Sequence, residues 1–211
     1  MQEVPTSEVI SLQRWTCARA GIGLFGRTQL EPPRRRFDMT TPRNTSRLEL
    51  FEFLDRLGIS TRTIEHAAVF TVEESEKLHR ELPGGHTKNL FLKDAKDRLF
   101  LVVAEAHASI NMKALHKTLG CARLSFGKPE LLMQILGITP GSVTALAVIN
   151  DRAQRVTVVV DDQLMKFETI NSHPLTNTAT TNIGRDDLMK FFRATGHTPL
   201  IVQLLIATSD Q

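Results

Sequence analysis

The chain has 211 residues, 41% hydrophobic and 23% charged, with a formal net charge of +3. That length and balance suit one well-buried domain, or one domain with an appendage, and exclude a fibrous or wholly disordered chain. No run reaches the roughly 18 apolar residues of a membrane-spanning helix. The opening also lacks the basic start and continuous apolar core of a secretory signal. Charge is unevenly spread: residues 1–38 hold six arginines (Arg14, Arg19, Arg27, Arg34, Arg35, Arg36) and no lysine, while all nine lysines and all seven histidines lie later. This bias is like that of an organelle transit peptide, but Glu3, Glu8 and Glu31 count against one. Cys17 and Cys121 make neither a disulfide framework nor a metal pair, so a reducing cytoplasm is the expected setting. Bulk basicity this small gives little weight to an RNA partner, which would need a local patch.

In chain order, the text up to about Thr45 reads as flexible, with Pro32, Pro33, the Arg34–Arg36 run and Pro42 breaking any pattern, although a short helix at Glu8–Ala18 is possible. Residues 1–38 are expected to be an upstream start or a dispensable tail, with a basic RNA-contacting arm as the alternative. Ser46 followed by Glu49 has capping-box spacing and predicts a helix with Leu50, Phe51, Leu54 and Leu57 inward, stopped at Gly58. Thr71 and Glu74 repeat the device for a helix running to Leu82, ended by Pro83–Gly84–Gly85. Asn89–Lys93 and Arg98–Val103 predict a hairpin around the polar 94–97 turn. Short helices follow at Met112–Leu119 and Lys128–Leu136, the second with Pro129 in its first turn. Val143–Ile149 and Arg155–Val160 predict a second hairpin, Leu164–Thr169 a strand, Arg185–Ala194 a helix and Leu200–Leu204 a closing strand. Hairpins mixed with short helices predict an α+β fold.

Signatures of phosphate loops, dinucleotide folds, serine-nucleophile elbows and zinc proteases are absent, and no histidine pair has tight ligand spacing. Three polar clusters interrupt sheet-like text. In the first, Gly84–Gly85 leads into a strand carrying Lys88 and Asn89, which point to opposite sides of a regular strand. Lys88 offers a compact cation to a phosphate or carbonyl oxygen, and Asn89 both donates and accepts. A solvated lysine beside a turn-side asparagine fits the local pattern as well. In the second, Gly141 and Ser142 offer backbone N–H groups of the oxyanion-site kind, or an ordinary loop before Val143 and Thr144. In the third, Pro174 restricts His173 to an extended or turn backbone, from which it orients water or a carbonyl, or stays a surface histidine.

Taken together, Glu65–His66, Val69 to Ser75, Gly85 to Asp94, Arg123 to Phe126, Gly141 to Thr144, His173–Pro174–Leu175 and Asn177 to Thr180 resemble the YbaK/ProX superfamily of aminoacyl-tRNA editing domains. The likeness is strongest to free-standing bacterial prolyl-tRNA deacylases. It spans roughly Leu48–Leu204. It implies a single compact domain, a mixed and mostly antiparallel sheet surrounded by short helices, at residues 45–206. A flexible extension at 1–44 and a tail at 207–211 complete the expected organisation.

The resemblance also implies a function: a hydrolase that removes alanine from mischarged Ala-tRNA(Pro), protecting translation fidelity. It implies no metal, no cofactor and no covalent nucleophile, with water attacking the ester beside the terminal ribose hydroxyl. By carry-over, Lys88, Asn89, Gly141 and His173 serve catalysis, and Phe70, Thr71, Ser142, Val143 and Thr144 bind substrate. Implied partners are aminoacylated tRNA, tRNA(Pro) first, and prolyl-tRNA synthetase; DNA and membranes are not expected. Two departures stand out: Ala145 occupies a position often held by Pro, and His66–Ala67–Ala68 replaces a His-Pro opening. The first is expected to relax the loop that shapes the pocket. A non-catalytic tRNA- or synthetase-binding module is the alternative reading.

Overall fold

In the computed structural model, residues 44–67 and 82–204 are described, and all of them fall in the unit Pro42–Gln211. The helix expected at Glu8–Ala18, the Thr71-capped helix as far as residue 81, and Phe70 and Thr71 themselves lie outside these residues.

Helix α1 (Arg47–Arg56) begins with the predicted capping box. Glu49 N–H donates to Ser46 Oγ at 3.3 Å, while Ser46 N–H donates to Glu49 Oε2 at 2.8 Å. Leu50 and Leu54, one turn apart, are buried. Strand β1 (Thr61–Glu65) follows, then β2 (Gly85–Asp94) and β3 (Leu99–Glu105), which form the predicted antiparallel hairpin. Asp94 secures its turn, accepting from the N–H groups of Lys96 and Arg98, the Arg98 side chain and Ala122 N–H. Helix α2 (Met112–Thr118), strand β4 (Leu124–Phe126) and helix α3 (Pro129–Leu136) come next. Strand β5 (Val156–Asp161), strand β6 (Thr169–Ser172), strand β7 (Ala179–Gly184), helix α4 (Arg185–Ala194) and strand β8 (Leu200–Val202) complete the chain.

The eight strands make one mixed sheet in the order β1-β7-β6-β2-β3-β5-β8, with β4 added to β2. Four pairings are antiparallel and three parallel. Central β3 is buried on both faces, which explains its unbroken apolar run. Leu99, Leu101 and Val103 join one core with α1, α3 and α4; Phe100, Val102 and Ala104 join another with α2. Among the described residues no helix is long and apolar enough to cross a membrane.

Two predicted strands need correction. Val143–Ile149 is not the first arm of a hairpin: Ala145–Asn150 is a 3-10 helix capped by Thr144, and β5 pairs in parallel with β3 and β8. Ala145 to Ile149 are all buried, so their apolar run carries no period to separate strand from buried helix. Leu164–Thr169 likewise gives way to a 3-10 helix, Asp162–Lys166, whose cap is the Asp161 side chain accepting from Gln163 N–H. The strand comes only afterwards, as β6. Strands β1, β4 and β7 were not anticipated; each is short or rich in threonine and arginine.

β6 pairs with β2 only at Gly85 and His86, and β4 takes over only at Leu92. Between them, Thr87 to Leu90 have a strand partner on the β3 side alone among the described residues. The sheet is open there, at its middle.

Candidate active site

Strand alternation puts Thr87, Asn89 and Phe91 on one face of the open edge and Lys88, Leu90 and Leu92 on the other. Phe91 and Leu92 belong to the two separate cores, as this requires. Sequence expectation thus matches structure in separating Lys88 from Asn89.

On the Asn89 face the polar groups form a chain. Thr87 Oγ donates to Asn171 O at 2.9 Å. Its one hydrogen being spent, it can only accept, so the Asn89 group facing it at 3.3 Å is the Nδ2 donor. That fixes the amide orientation and turns Asn89 Oδ1 away, buried and without a hydrogen-bond partner among the described residues. A buried unpaired acceptor costs about 1–3 kcal/mol, which a bound donor would recover. Ser172 Oγ lies 3.5 Å from Thr87 Oγ1, and His173 follows directly at the end of β6.

His173 Nδ1 lies 2.9 Å from Ala179 O. A carbonyl only accepts, so Nδ1 carries the proton and neutral His173 presents a lone pair at Nε2. Burial lowers its pKa; the Ala179 carbonyl works against this, and the neighbouring His66 adds to it. The two rings stand 6.2 Å apart, centroid to centroid, tilted by 49°. His66 Nδ1 meets Ala67 O at 2.7 Å, and its Nε2 meets Thr180 Oγ1 at 2.9 Å.

The Gly141 loop closes the same side. Thr144, fully buried, donates from its hydroxyl to His173 O at 2.7 Å and accepts from Leu146 N–H at 3.3 Å. It therefore holds the histidine's backbone and the 3-10 helix at once. Val143 is half-buried and packs against the core, and Ser142 is buried with its N–H donating to Thr139 O at 3.1 Å. Of the two backbone donors, Ser142 is committed to the turn. Gly141, at φ +86°, is exposed, and a Cβ there would meet only Asn177 Nδ2 at 4.0 Å. The positive φ favours glycine, and the open space leaves room for a ligand.

Lys88 lies across the strand from this group, its Nζ donating to Ala108 O. The structure thus gathers Asn89, His173 and the Gly141–Thr144 loop on one face of an open edge, and places Lys88 on the other. Thr87, Ser172 and His66 have no assigned role in the sequence reading, although His66 stands in the family resemblance and Ser172 directly precedes His173. Thr87 had a signal, since it stands two residues before Asn89 on the same strand face. What Ser172 and His66 touch has no local trace, because those contacts run across more than 80 residues of chain and between rings.

Other chemistry finds little support. Cys121 has its thiol pKa raised by burial and then by Asp94, with Arg98 opposing, which makes it a poor nucleophile. Among the described residues no cluster of three or more His, Cys, Asp or Glu is placed to hold a metal ion.

An α+β domain whose central strand β2 is paired on one side only beside neutral, hydrogen-bonding groups is the class of fold the structure defines. Comparison with known proteins makes it specific. The family model "Aminoacyl-tRNA editing domain" matches residues 66–191. The prolyl-tRNA editing protein ProX of Acetoanaerobium sticklandii is 39% identical over 152 residues, 72% of this chain and 93% of its own. The prolyl-tRNA synthetase associated domain-containing protein 1 of Danio rerio is 43% identical over 158 residues, 74% of this chain and 86% of its own. A crystal structure of a candidate trans-editing enzyme for prolyl tRNA synthetase shares the fold, with a TM-score of 0.57 at 15% identity, covering 75% of this chain and 98% of that one. The chain belongs to the aminoacyl-tRNA editing domain family, of the YbaK/ProX type.

Proposed function

We propose that this protein is a trans-editing hydrolase that removes alanine from mischarged Ala-tRNA(Pro). The observation that carries the reading is Asn89 Oδ1, a buried acceptor without a partner among the described residues, in a sheet where His173, at the end of β6, offers an acceptor nitrogen. An aminoacyl ester brings the missing donor in its α-ammonium group. In this reading, with that group on Asn89 Oδ1, the ester carbonyl takes its hydrogen bonds from the Gly141 N–H on that face and from Lys88, released from Ala108 O, on the other.

Water then adds to the carbonyl carbon, losing a proton toward His173 Nε2 or the terminal ribose hydroxyl. Negative charge on the carbonyl oxygen is met by the Gly141 N–H and the Lys88 cation, donors of a kind each worth about 10²–10³-fold in rate. Collapse of the tetrahedral species breaks the bond to the ribose oxygen, which takes up a proton, releasing alanine and tRNA. An activated ester held in place needs no covalent nucleophile.

Size excludes proline more readily than it could reject a smaller side chain. Ala145 does not weaken this reading. It is the first residue of the 3-10 helix and fully buried in the core, a position where proline and alanine adopt the same backbone. A tRNA substrate places the activity where translation occurs, which for this chain we take to be the cytoplasm.

The test is a deacylation panel with alanyl, prolyl, seryl and cysteinyl esters on tRNA(Pro), for wild type, Lys88→Ala and His173→Ala. Alanine should be released and proline retained, with Lys88→Ala slower by at least about 10²-fold and a chelator without effect. A wild-type protein that leaves every ester intact would end the proposal. A second reading, a synthetase-binding module without catalysis, draws on the name of the Danio rerio relative; it predicts binding to prolyl-tRNA synthetase with the ester untouched.

A further inference from the structure

Beyond the ester site, the most distinctive unassigned surface is a groove of about 540 Å³ between α2 and β4. Met112, Lys113 and His116 line one wall, Arg123, Leu124 and Phe126 the other. Met112 and His116 are four residues apart and share a helix face. No carboxylate lines it, and Lys113 and Arg123 form no ion pair among the described residues. Asp94, the nearest acid in register with Leu124, is buried and tied to Arg98. Phe126 is 65% exposed, an unusual setting for a phenyl ring.

Strand pairing connects this groove to the open edge. Phe126 stands opposite Leu92 on β2, so its ring is on the Lys88 face of the sheet. Lys88 and Leu92 are four residues apart on that face, or about 13 Å at ~3.3 Å per residue. At ~3.4 Å per stacked nucleotide, the interval equals a short single strand. An isolated aromatic face beside unpaired cations is the chemistry that holds single-stranded nucleic acid: bases stack and phosphates pair.

We propose that the α2–β4 groove seats the unpaired 3′-terminal nucleotides of the tRNA, with Phe126 stacking on a base and Lys113 and Arg123 meeting phosphates. The inference rests on the editing reading of the ester site and adds the surface that brings the 3′ end to it. It also explains how a chain of small net charge holds RNA: 20 basic and 19 acidic residues follow residue 38, so attraction must be local.

The test uses uncharged tRNA(Pro) and the same tRNA without its unpaired 3′ nucleotides, with binding followed by fluorescence anisotropy over a range of salt. Phe126→Ala should weaken binding of the full tRNA about tenfold, about 1.4 kcal/mol, and leave the shortened tRNA unaffected. Lys113→Ala and Arg123→Ala should each lower the slope of log affinity against log salt by about 0.7. All three side chains are at the surface, and circular dichroism verifies that the variants fold. Equal losses on both tRNAs, or no loss on either, would overturn the proposal and leave the groove to a protein partner. Binding needs no catalysis, so the two proposals separate. Wild type that binds through Phe126 but spares the ester refutes only the hydrolase, whereas a Phe126→Ala/Lys113→Ala/Arg123→Ala variant with wild-type KM on Ala-tRNA(Pro) refutes only the groove.

Discussion

Replacing Thr144 by valine keeps the volume of a fully buried side chain and removes only its hydroxyl. Two bonds go with it: the 2.7 Å donation to His173 O and the 3.3 Å acceptance from Leu146 N–H. The first loss removes one of two hydrogen bonds to His173 O, which keeps the 3.0 Å bond from Leu175 N–H, at about 1 kcal/mol; the second removes a helix cap, at about 1 kcal/mol. Together they amount to about 2 kcal/mol, or a fall in Tm of roughly 4–8 °C for a domain of this size. Catalysis should suffer separately, because the His173 backbone loses its anchor, and misplacement by about 1 Å costs on the order of 10²-fold. The expected result is a kcat on Ala-tRNA(Pro) down by tenfold or more with KM nearly unchanged, while Thr144→Ser recovers both rate and Tm. Urea titration and single-turnover deacylation measure the two effects. Wild-type kcat in a folded Thr144→Val protein would refute the view that this hydroxyl positions the histidine.

Three further outcomes follow from the same geometry. Burial holds His173 below its ordinary 6.5, so its Nε2 stays unprotonated at neutral pH. The kcat/KM for deacylation should be flat there and fall only as pH drops through that lowered value, and His173→Gln should lose this acid limb. Burial alone would raise Asp94 and Asp151. Hydrogen bonds from Arg98, Lys96 and Ala122 outweigh it at Asp94, holding the carboxyl at about 2, and bonds from His197, Arg155 and Val156 hold Asp151 below its ordinary 3.8. Because the folded values are depressed, the stability they confer is full above about pH 4 and drains as pH falls through them; the urea midpoint should drop between pH 5 and 2, less steeply in Asp151→Asn. Finally, deleting residues 1–38 should leave the deacylation rate unchanged, and loss of most activity would show that the arginine-rich start takes part.

Local signals were legible in the sequence wherever one segment carried its own physics. The Ser46–Glu49 capping box, Pro129 in the first turn of α3 and the polar turn between β2 and β3 are short-range devices, and all stand where the spacing put them. Reading failed where neighbours far along the chain decide. Ala145–Asn150 reads as a strand because it is uniformly apolar, yet it is a 3-10 helix because Thr144 caps it and the core surrounds it. β7 reads as a turn-rich polar stretch because its threonines pair with β1 and β6, at positions no local window contains.

For the site, the sequence alone determined the residue types and the family: Lys88, Asn89, Gly141 and His173 stand in an ordered series that needs no coordinates to be recognised. Alternation along β2 also told Lys88 from Asn89, since a strand's side chains must point to opposite faces. Only the tertiary structure decided that β6 leaves β2 after His86 and β4 joins it at Leu92, opening the edge between them. It decided too which way the Asn89 amide points, through a Thr87 hydroxyl already spent on Asn171. Hydrogen bonding across more than 80 residues of chain has no local trace, so which acceptor is left without a partner among the described residues is a property of the folded sheet.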